Sequence, residues 1–392
     1  MEQGSYQSFA IIITCPKPST VSENSLRISA LHLLKTLNVN QSNMNVRLAN
    51  DNDEKEWDAF VQEHSDTSPY HLFAWKKAVE TAYGHKTYYL MAEENGQVSG
   101  VLPLVYFKLP VLSGYFVSTP FCDFGDAVAA DDHTKVQLIM KATLIAKGEK
   151  IKYIELRGDV KQISLQNLNL TVNTMSHKVR MLLELPDSSE ILWDSFKSKL
   201  RSQIRKAEKN DLVFKWGNIK DIDDFYAVFS QNMHDLGSPV HSKRWFYNIL
   251  NFYGGNARMG LVYHNEKPVG TGIILSNSNS ISIPWASTLR EYNRFSPNMM
   301  LYWNFLKYAS DYGYKQFDFG RSTPDEGTYK FKVQWGAKPV PLYWHYIMTN
   351  KGEFRADSAN SSKRDAIMKL WQKLPLGVAN LIGPAIRKHI SL

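Results

Sequence analysis

The sequence predicts an α/β (α+β) protein in which one domain occurs twice, each copy a mixed, mostly antiparallel sheet flanked by helices. Three observations lead there. The stretch YYLMAEENGQVSGVLPLVYF (88–107) has the pattern of RMGLVYHNEKPVGTGIILSN (258–277): a strand, a turn, and a second strand with a glycine near its start, Gly100 and Gly270. Further on, KGEKIKYIELRGD (147–159) matches YGYKQFDFGRSTP (312–324), each with a strand carrying a carboxylate and then Arg and Gly in either order. The two offsets, 170 and 165 residues, nearly agree, and a repeated offset is the mark of duplication. Finally, a helix that follows an antiparallel meander and feeds another strand gives a mixed sheet.

The elements follow in order. Residues 1–43 lack sustained periodicity and read as an N-terminal extension. The first copy spans 44–185, with helices at Trp57–His64 and Leu72–Tyr83 and strands at Lys86–Glu93 and Gln97–Phe107 around a Glu-Asn-Gly turn. A basic connecting helix occupies 186–215. The second copy spans 216–348: helices Asp221–Leu236 and Trp245–Phe252, strands 258–264, 268–276 and 280–287, helix Asn298–Tyr312 and strand Lys315–Gly320. A basic amphipathic tail closes the chain at 349–392. A ligand belongs where the last two strands part, at the N-terminus of the helix between them.

Composition narrows the function classes. With 43% apolar and 21% charged residues over 392 positions, the chain can bury a core, which excludes disorder as its main state. No run reaches the roughly 18 apolar residues of a spanning helix; Val101–Val117 holds Lys108 and two prolines. Ser8–Cys15 has no basic leader, and two cysteines, Cys15 and Cys122, make no disulfide framework, so a reducing cytoplasm is expected. The net charge of +8 is concentrated: residues 197–209 and 351–392 carry +5 each. Two such clusters point to defined anionic partners.

Three strings resemble a known family: KSKLRSQIRKAEKNDL (197–212), NMHDLGSPVHSKRWF (232–246) and FDFGRSTPDEGTYKFKVQWGAKP (317–339). They are similar to the FemAB family of peptidoglycan-bridge aminoacyltransferases, especially its branch associated with exopolysaccharide and exosortase systems, over about residues 44–390. The resemblance implies the GNAT N-acyltransferase fold, present twice, and transfer of an acyl group to an amine. In the bridge-forming members the donor is aminoacyl-tRNA. Users of acetyl-CoA in this fold carry a Gly-rich turn around the pyrophosphate; here REYNRFSPNMML (290–301) has no glycine, which disfavours a tight CoA site. Arg290 and Arg294 remain able to meet phosphates, and Ser296–Pro297 is expected to cap and start the following helix, with Asn298 in its first turn.

The candidate residues follow from the chemistry. Acyl transfer needs a proton acceptor and a donor to the tetrahedral oxyanion. Asp318 is placed for the first role and Arg321 or Lys332 for the second, with Tyr329, Lys330 and Trp335 beside them; the competing reading pairs Asp318 with Arg321 or Lys332 to pin the strand end. Lys197, Arg201, Arg205 and Lys209 recur at i+4, a stripe of cations that an anion would relieve; Arg201 and Arg205 are the expected phosphate contacts, a solvated helix face the alternative. His234, Asp235 and His241 surround a Gly-Pro loop. His234 is either a base or a simple helix-end cap, and no metal site is expected. Asp123 and Asp126, in TPFCDFGDAV, either hold sugar hydroxyls or an ammonium, or cap a turn. Cys122 reads as packing, and Trp285 as an aromatic substrate contact. In the tail, Ile367, Leu370, Trp371 and Leu374 recur at helical spacing beside Lys369 and Lys373, which suits either a helix on anionic lipid or one packed on the body.

The expected enzyme is therefore a cytoplasmic acyltransferase, peripheral on the inner face of the membrane through 363–390. It takes aminoacyl-tRNA or acyl-CoA as donor, with no cofactor fixed, and a small-molecule or lipid-linked sugar or peptide as acceptor. The rivals are an acetyl-CoA-dependent N-acetyltransferase of an amino sugar nucleotide and a non-catalytic RNA-binding or assembly protein.

Overall fold

A computed structural model describes residues 44–108, 114–158, 170–349 and 361–392. The predicted extension lies outside these residues. In chain order the first half runs β1 (Met44–Leu48), α1 (Glu54–Glu63), α2 (Phe73–Tyr83), β2 (Leu90–Glu94), β3 (Gln97–Leu102), β4 (Val105–Phe107), β5 (Tyr115–Val117), β6 (Val128–Ala129), α3 (Asp132–Gly148), β7 (Tyr153–Gly158) and β8 (Thr171–Glu184). Then come α4 (Ser189–Ser195) and α5 (Ser198–Glu208). The second half runs in a related order: β9 (Leu212–Gly217), α6 (Ile222–Asp235), α7 (Lys243–Tyr253), β10 (Ala257–His264), β11 (Lys267–Ser276), β12 (Ser280–Thr288), α8 (Pro297–Asp311), β13 (Gln316–Ser322), α9 (Gly327–Gln334) and β14 (Lys338–Met348). Helices α10 (Ser361–Trp371) and α11 (Leu376–Arg387) follow.

The strands form a small sheet, β1-β2-β3-β6, and a ten-stranded one, β4-β5-β7-β14-β8-β13-β12-β11-β10-β9. All pairs in the large sheet are antiparallel except two, β5–β7 and β12–β13, each joined through a helix, α3 or α8. These are the same unit seen twice. The halves also exchange their ends: β8 pairs with β13, β14 pairs with β7, and β8 and β14 pair with each other at the centre. One sheet therefore runs through both copies.

The glycines of the repeated pattern both face the first turn of a crossover helix, at different distances. A Cβ on Gly100 would stand 2.9 Å from Thr134 Cγ2, in the first turn of α3. One on Gly270 would stand 3.4 Å from Pro297, the first residue of α8. In the first copy the strand glycine lets the start of α3 lie against the sheet; in the second the contact with α8 is an ordinary one, and the tighter neighbour is Val262 Cβ on β10 at 3.2 Å. Where the sequence suggested one strand over Gln97–Phe107, the structure has two: the pairing breaks at Pro103, which has no N–H for a ladder, and β3 and β4 enter different sheets.

Side-chain burial holds the halves together. Trp75 of α2 stacks on Trp285 of β12 (centroids 6.2 Å, 7° apart) and meets Trp245 of α7 edge-on at 5.3 Å. Each such buried ring contributes on the order of 2 kcal/mol. On α5, Leu200, Ile204 and Ala207 are buried, so the cations face away from the core as the i+4 spacing dictates.

Candidate active site

Strands β12 and β13 are paired only from Ser280–Ser282 to Gln316–Asp318; beyond that they diverge. The gap opens a cleft of about 200 Å³ lined by Asn232 of α6, Ala286, Ser287 and Thr288 of β12, Asn298, Leu301 and Tyr302 of α8, and Phe331 of α9. This is the place expected from the order of the elements. Asn232 donates to Ser287 Oγ at 3.0 Å, tying α6 to the strand. Tyr302 stacks on Phe319 of β13 (5.7 Å, 8°) and meets Phe331 edge-on at 5.0 Å, so one ring joins the floor, the far strand and the roof.

The N-terminus of α8 is not the open anion cradle of a glycine-rich turn. Pro297 has no N–H, and the Met299 N–H is engaged by the Ser296 carbonyl and by Asn298 Oδ1, both at 3.0 Å. Ser296 was expected to cap the helix through its side chain. Instead it sits at φ 64°, in the left-handed region, and makes no side-chain cap: the preceding six residues, Arg290–Phe295, form a 3₁₀ turn that reverses here.

On β13 successive side chains face opposite ways. Phe317 and Phe319 enter the core beneath α8, while Asp318 points to the other face and is buried. Its Oδ2 accepts from Arg180 Nε of β8 at 3.0 Å and its Oδ1 from the Gly320 N–H at 2.7 Å. The partner is thus neither Arg321 nor Lys332, because the exchanged strand β8 brings an arginine to the carboxylate. Gly320, at φ 74°, turns the chain, and the ladder to β8 shifts register between Asp318 and Arg321. That bulge aims Arg321 at Asp123 of the first copy: its Nε lies 3.2 Å from Asp123 Oδ1 and its N–H donates to Oδ2 at 3.2 Å.

Lys332, one residue after the cleft-lining Phe331, bridges back to the bulge. Its Nζ donates to the carbonyls of Gly320 (3.1 Å) and Arg321 (2.8 Å). Burial pushes its pKa down to about 8, against the pull of Asp123 and Asp318 and with help from Arg321. A lysine so tuned exchanges protons near neutral pH or donates strongly to developing negative charge.

The other predicted residues disperse. Asp126 is buried in an ion pair with Lys135 at 3.0 Å and accepts from the Ala127 N–H, the turn-holding alternative. His234 donates to the Leu374 carbonyl at 2.8 Å, fastening the tail, and the Asp235 carbonyl accepts from Arg290 at 3.3 Å, which holds Arg290 beside the cleft rim. Arg294 is exposed over the Phe295 ring (4.7 Å). Trp285 lies in the aromatic seam between the copies. Trp335 is buried against Phe196 and Tyr302, Tyr329 packs on the same core, and Lys330 is exposed. Arg201 stands 3.8 Å from Asp194, and Arg205 lies over Trp193. Burial raises the Cys122 thiol to about 12, in keeping with packing. The sequence reading missed Asn232, Ser287, Thr288, Tyr302, Phe331 and Arg180; the first of these lies in the quoted NMHD string, and Ser287–Thr288 end the strand leading into the glycine-free turn.

Three comparisons bear on this geometry. The acetyltransferase (GNAT) domain family matches residues 194–333. The lipid II:glycine glycyltransferase of Staphylococcus haemolyticus (strain JCSC1435) is 22% identical over 393 residues, covering 76% of this chain and 90% of its own. That of Staphylococcus epidermidis (strain ATCC 12228 / FDA PCI 1200) is 22% identical over 386 residues, with 76% and 89% covered. Among solved structures, FemX superposes with a TM-score of 0.65 at 17% identity, covering 78% of this chain and 98% of its own. The L-PGS structure from Bacillus licheniformis gives 0.53 at 12% identity, with 82% and 98% covered. The paired β–α–β units, the cleft between parting strands and these likenesses converge: the chain is an acyltransferase with a tandem GNAT fold, similar to FemX and to the lipid II:glycine glycyltransferases.

Proposed function

We propose that the protein transfers an aminoacyl group from aminoacyl-tRNA to an amine on a lipid-linked cell-envelope precursor, working from the cytoplasmic side. The observation that carries this reading is the cleft between β12 and β13, beside a lysine tuned to about 8. The acyl end of the donor lies in the cleft, with the cations of α5 and Arg290 available to phosphates. The acceptor amine enters from the Asp123–Arg321 side, where an ammonium finds a carboxylate before it loses its proton. The amine forms a C–N bond to the ester carbonyl, the C–O bond breaks, and the leaving hydroxyl takes the proton. Lys332 and Arg321 stabilise the oxyanion. Asp318, with both oxygens engaged, orients the strand that presents them.

The glycyltransferase relatives act, by name, on lipid II, which supports a lipid-linked acceptor. The occupied N–H at the start of α8 supports a donor other than acetyl-CoA. The test is transfer of radiolabelled amino acid from charged tRNA to extracted lipid-linked precursors, with acetyl-CoA in parallel. Label in the lipid fraction only with charged tRNA is the expected result. Transfer from acetyl-CoA alone would replace this reading with the N-acetyltransferase one.

A further inference from the structure

Helices α10 and α11 carry two different faces. Inward, Trp371, Ala379 and Gly383 are buried, and a Cβ on Gly383 would come within 3.2 Å of the Val240 backbone. Asn380 donates to Ser230 on α6, so this side is spoken for. Outward, Ile367 and Leu370 on α10 and Val378, Leu381, Ile382 and Ile386 on α11 are exposed. Leu381, at 79%, is the most exposed large apolar side chain among the described residues. On α11 the outward residues recur at i, i+3, i+4 and i+8, a single stripe.

We propose that the α10–α11 hairpin is a docking surface for an anionic lipid bilayer, lying in the headgroup plane with this stripe inserted. The charge pattern selects lipid over a second copy. From residue 366 to the end there is no Asp or Glu, while Lys369 and Lys373 stand exposed beside the stripe. Two copies meeting through this face would oppose like charges, whereas an anionic surface attracts them. No helix of the described residues is long and apolar enough to cross a membrane, and an amphipathic pair of this size lies flat.

The position suits the chemistry. The Asp235 carbonyl at the end of α6 accepts both from Gln372, at the foot of α10, and from Arg290 on the cleft rim. The lipid face and the cleft are therefore tied to one turn of helix. The inference extends the proposed lipid-linked acceptor but stands on separate residues.

The experiment is sedimentation of the full chain with vesicles of phosphatidylcholine alone or with about one third phosphatidylglycerol. Binding to the anionic vesicles, weakened by salt and by K369E with K373E by about tenfold or more, is expected. L370D with L381D, both exposed and so harmless to folding, should abolish binding while leaving the melting temperature and transfer to a water-soluble acceptor unchanged. Equal sedimentation of wild type and L370D/L381D overturns the proposal. So does a concentration-dependent dimer that this variant dissolves while vesicles bind neither protein. Vesicle binding without transfer to any acceptor would leave the docking surface standing and remove the proposed function instead.

Discussion

Asp123 straddles Arg321: one carboxylate oxygen lies 3.2 Å from the guanidinium Nε and the other accepts the backbone N–H at 3.2 Å, across 198 residues of sequence. The contact joins a loop of the first copy to the end of β13 in the second, at the edge of the site. Both side chains keep about a quarter to a third of their surface in water, so the pair can open to a charged ligand. The expectation is that D123A and R321A each raise the acceptor KM by tenfold or more and leave the donor KM unchanged. A double-mutant cycle on stability should return a coupling of only about 0.5–1 kcal/mol, as for partly exposed pairs. Steady-state kinetics with each substrate varied and urea melts of the four proteins measure both.

Asp318 behaves in the opposite way. It is buried with Arg180, and removing one member of a buried pair leaves a desolvated charge. D318A should lose about 3–5 kcal/mol of stability, read as a fall in the urea midpoint. If D318A instead melts with wild type and only kcat falls, the carboxylate is a base and not a strut.

Lys332 makes stability and rate depend on pH in different senses. Its folded pKa, about 8, lies below the ordinary lysine value of 10.5. Above the unfolded value the lysine is neutral in both states and contributes nothing. As pH falls from about 10.5 to 8 the unfolded chain takes up a proton that the folded one resists, so stability declines, by about 3 kcal/mol, and then levels. Urea midpoints of wild type should therefore rise between pH 8 and 10, and those of K332M should not. A required ammonium also predicts a kcat that falls as pH rises through about 8, a limb that K332R moves upward.

The cleft itself is open to a steric test. Thr288 lines it and is only half-buried, so T288W can fill the space of about 200 Å³ without entering the core. Donor KM should rise at least about tenfold, while the melting temperature and the acceptor KM stay near wild type. An unchanged donor KM would place the donor elsewhere on the chain.

How much of this is legible in the sequence depends on distance along the chain. The duplication, the hairpin at Asn95–Gly96, the parting strands and the crossover helix were readable, because strand, turn and helix periods are local. The sequence marks Asp123 and Arg321 singly but not as partners, because nothing local couples residues 198 apart. Arg180 was invisible for the same reason: its role exists only because β8 crosses into the other copy's sheet. The left-handed Ser296 is not legible, because Ser-Pro normally caps a helix and only the 3₁₀ turn before it forces the reversal.

The paired glycines offer the sharpest check on the duplication as a packing device. At Gly100 an added methyl would meet Thr134 Cγ2 at 2.9 Å, Leu138 Cδ1 at 3.0 Å and Ala129 Cβ at 3.2 Å, all buried or wedged between α3 and the small sheet. At Gly270 the nearest atoms are Val262 Cβ at 3.2 Å and Pro297 Cβ at 3.4 Å, so a shift of a few tenths of an ångström suffices. Overpacking of a tight site costs about 1–3 kcal/mol. G100A should therefore fall in that range and G270A within about 1 kcal/mol of wild type, the loss of glycine's unfolded-state freedom partly compensating the second. Urea denaturation of the two variants decides it. Equal losses would mean that the first turns of α3 and α8 approach their strands with the same tightness, and that the asymmetry between the copies lies elsewhere.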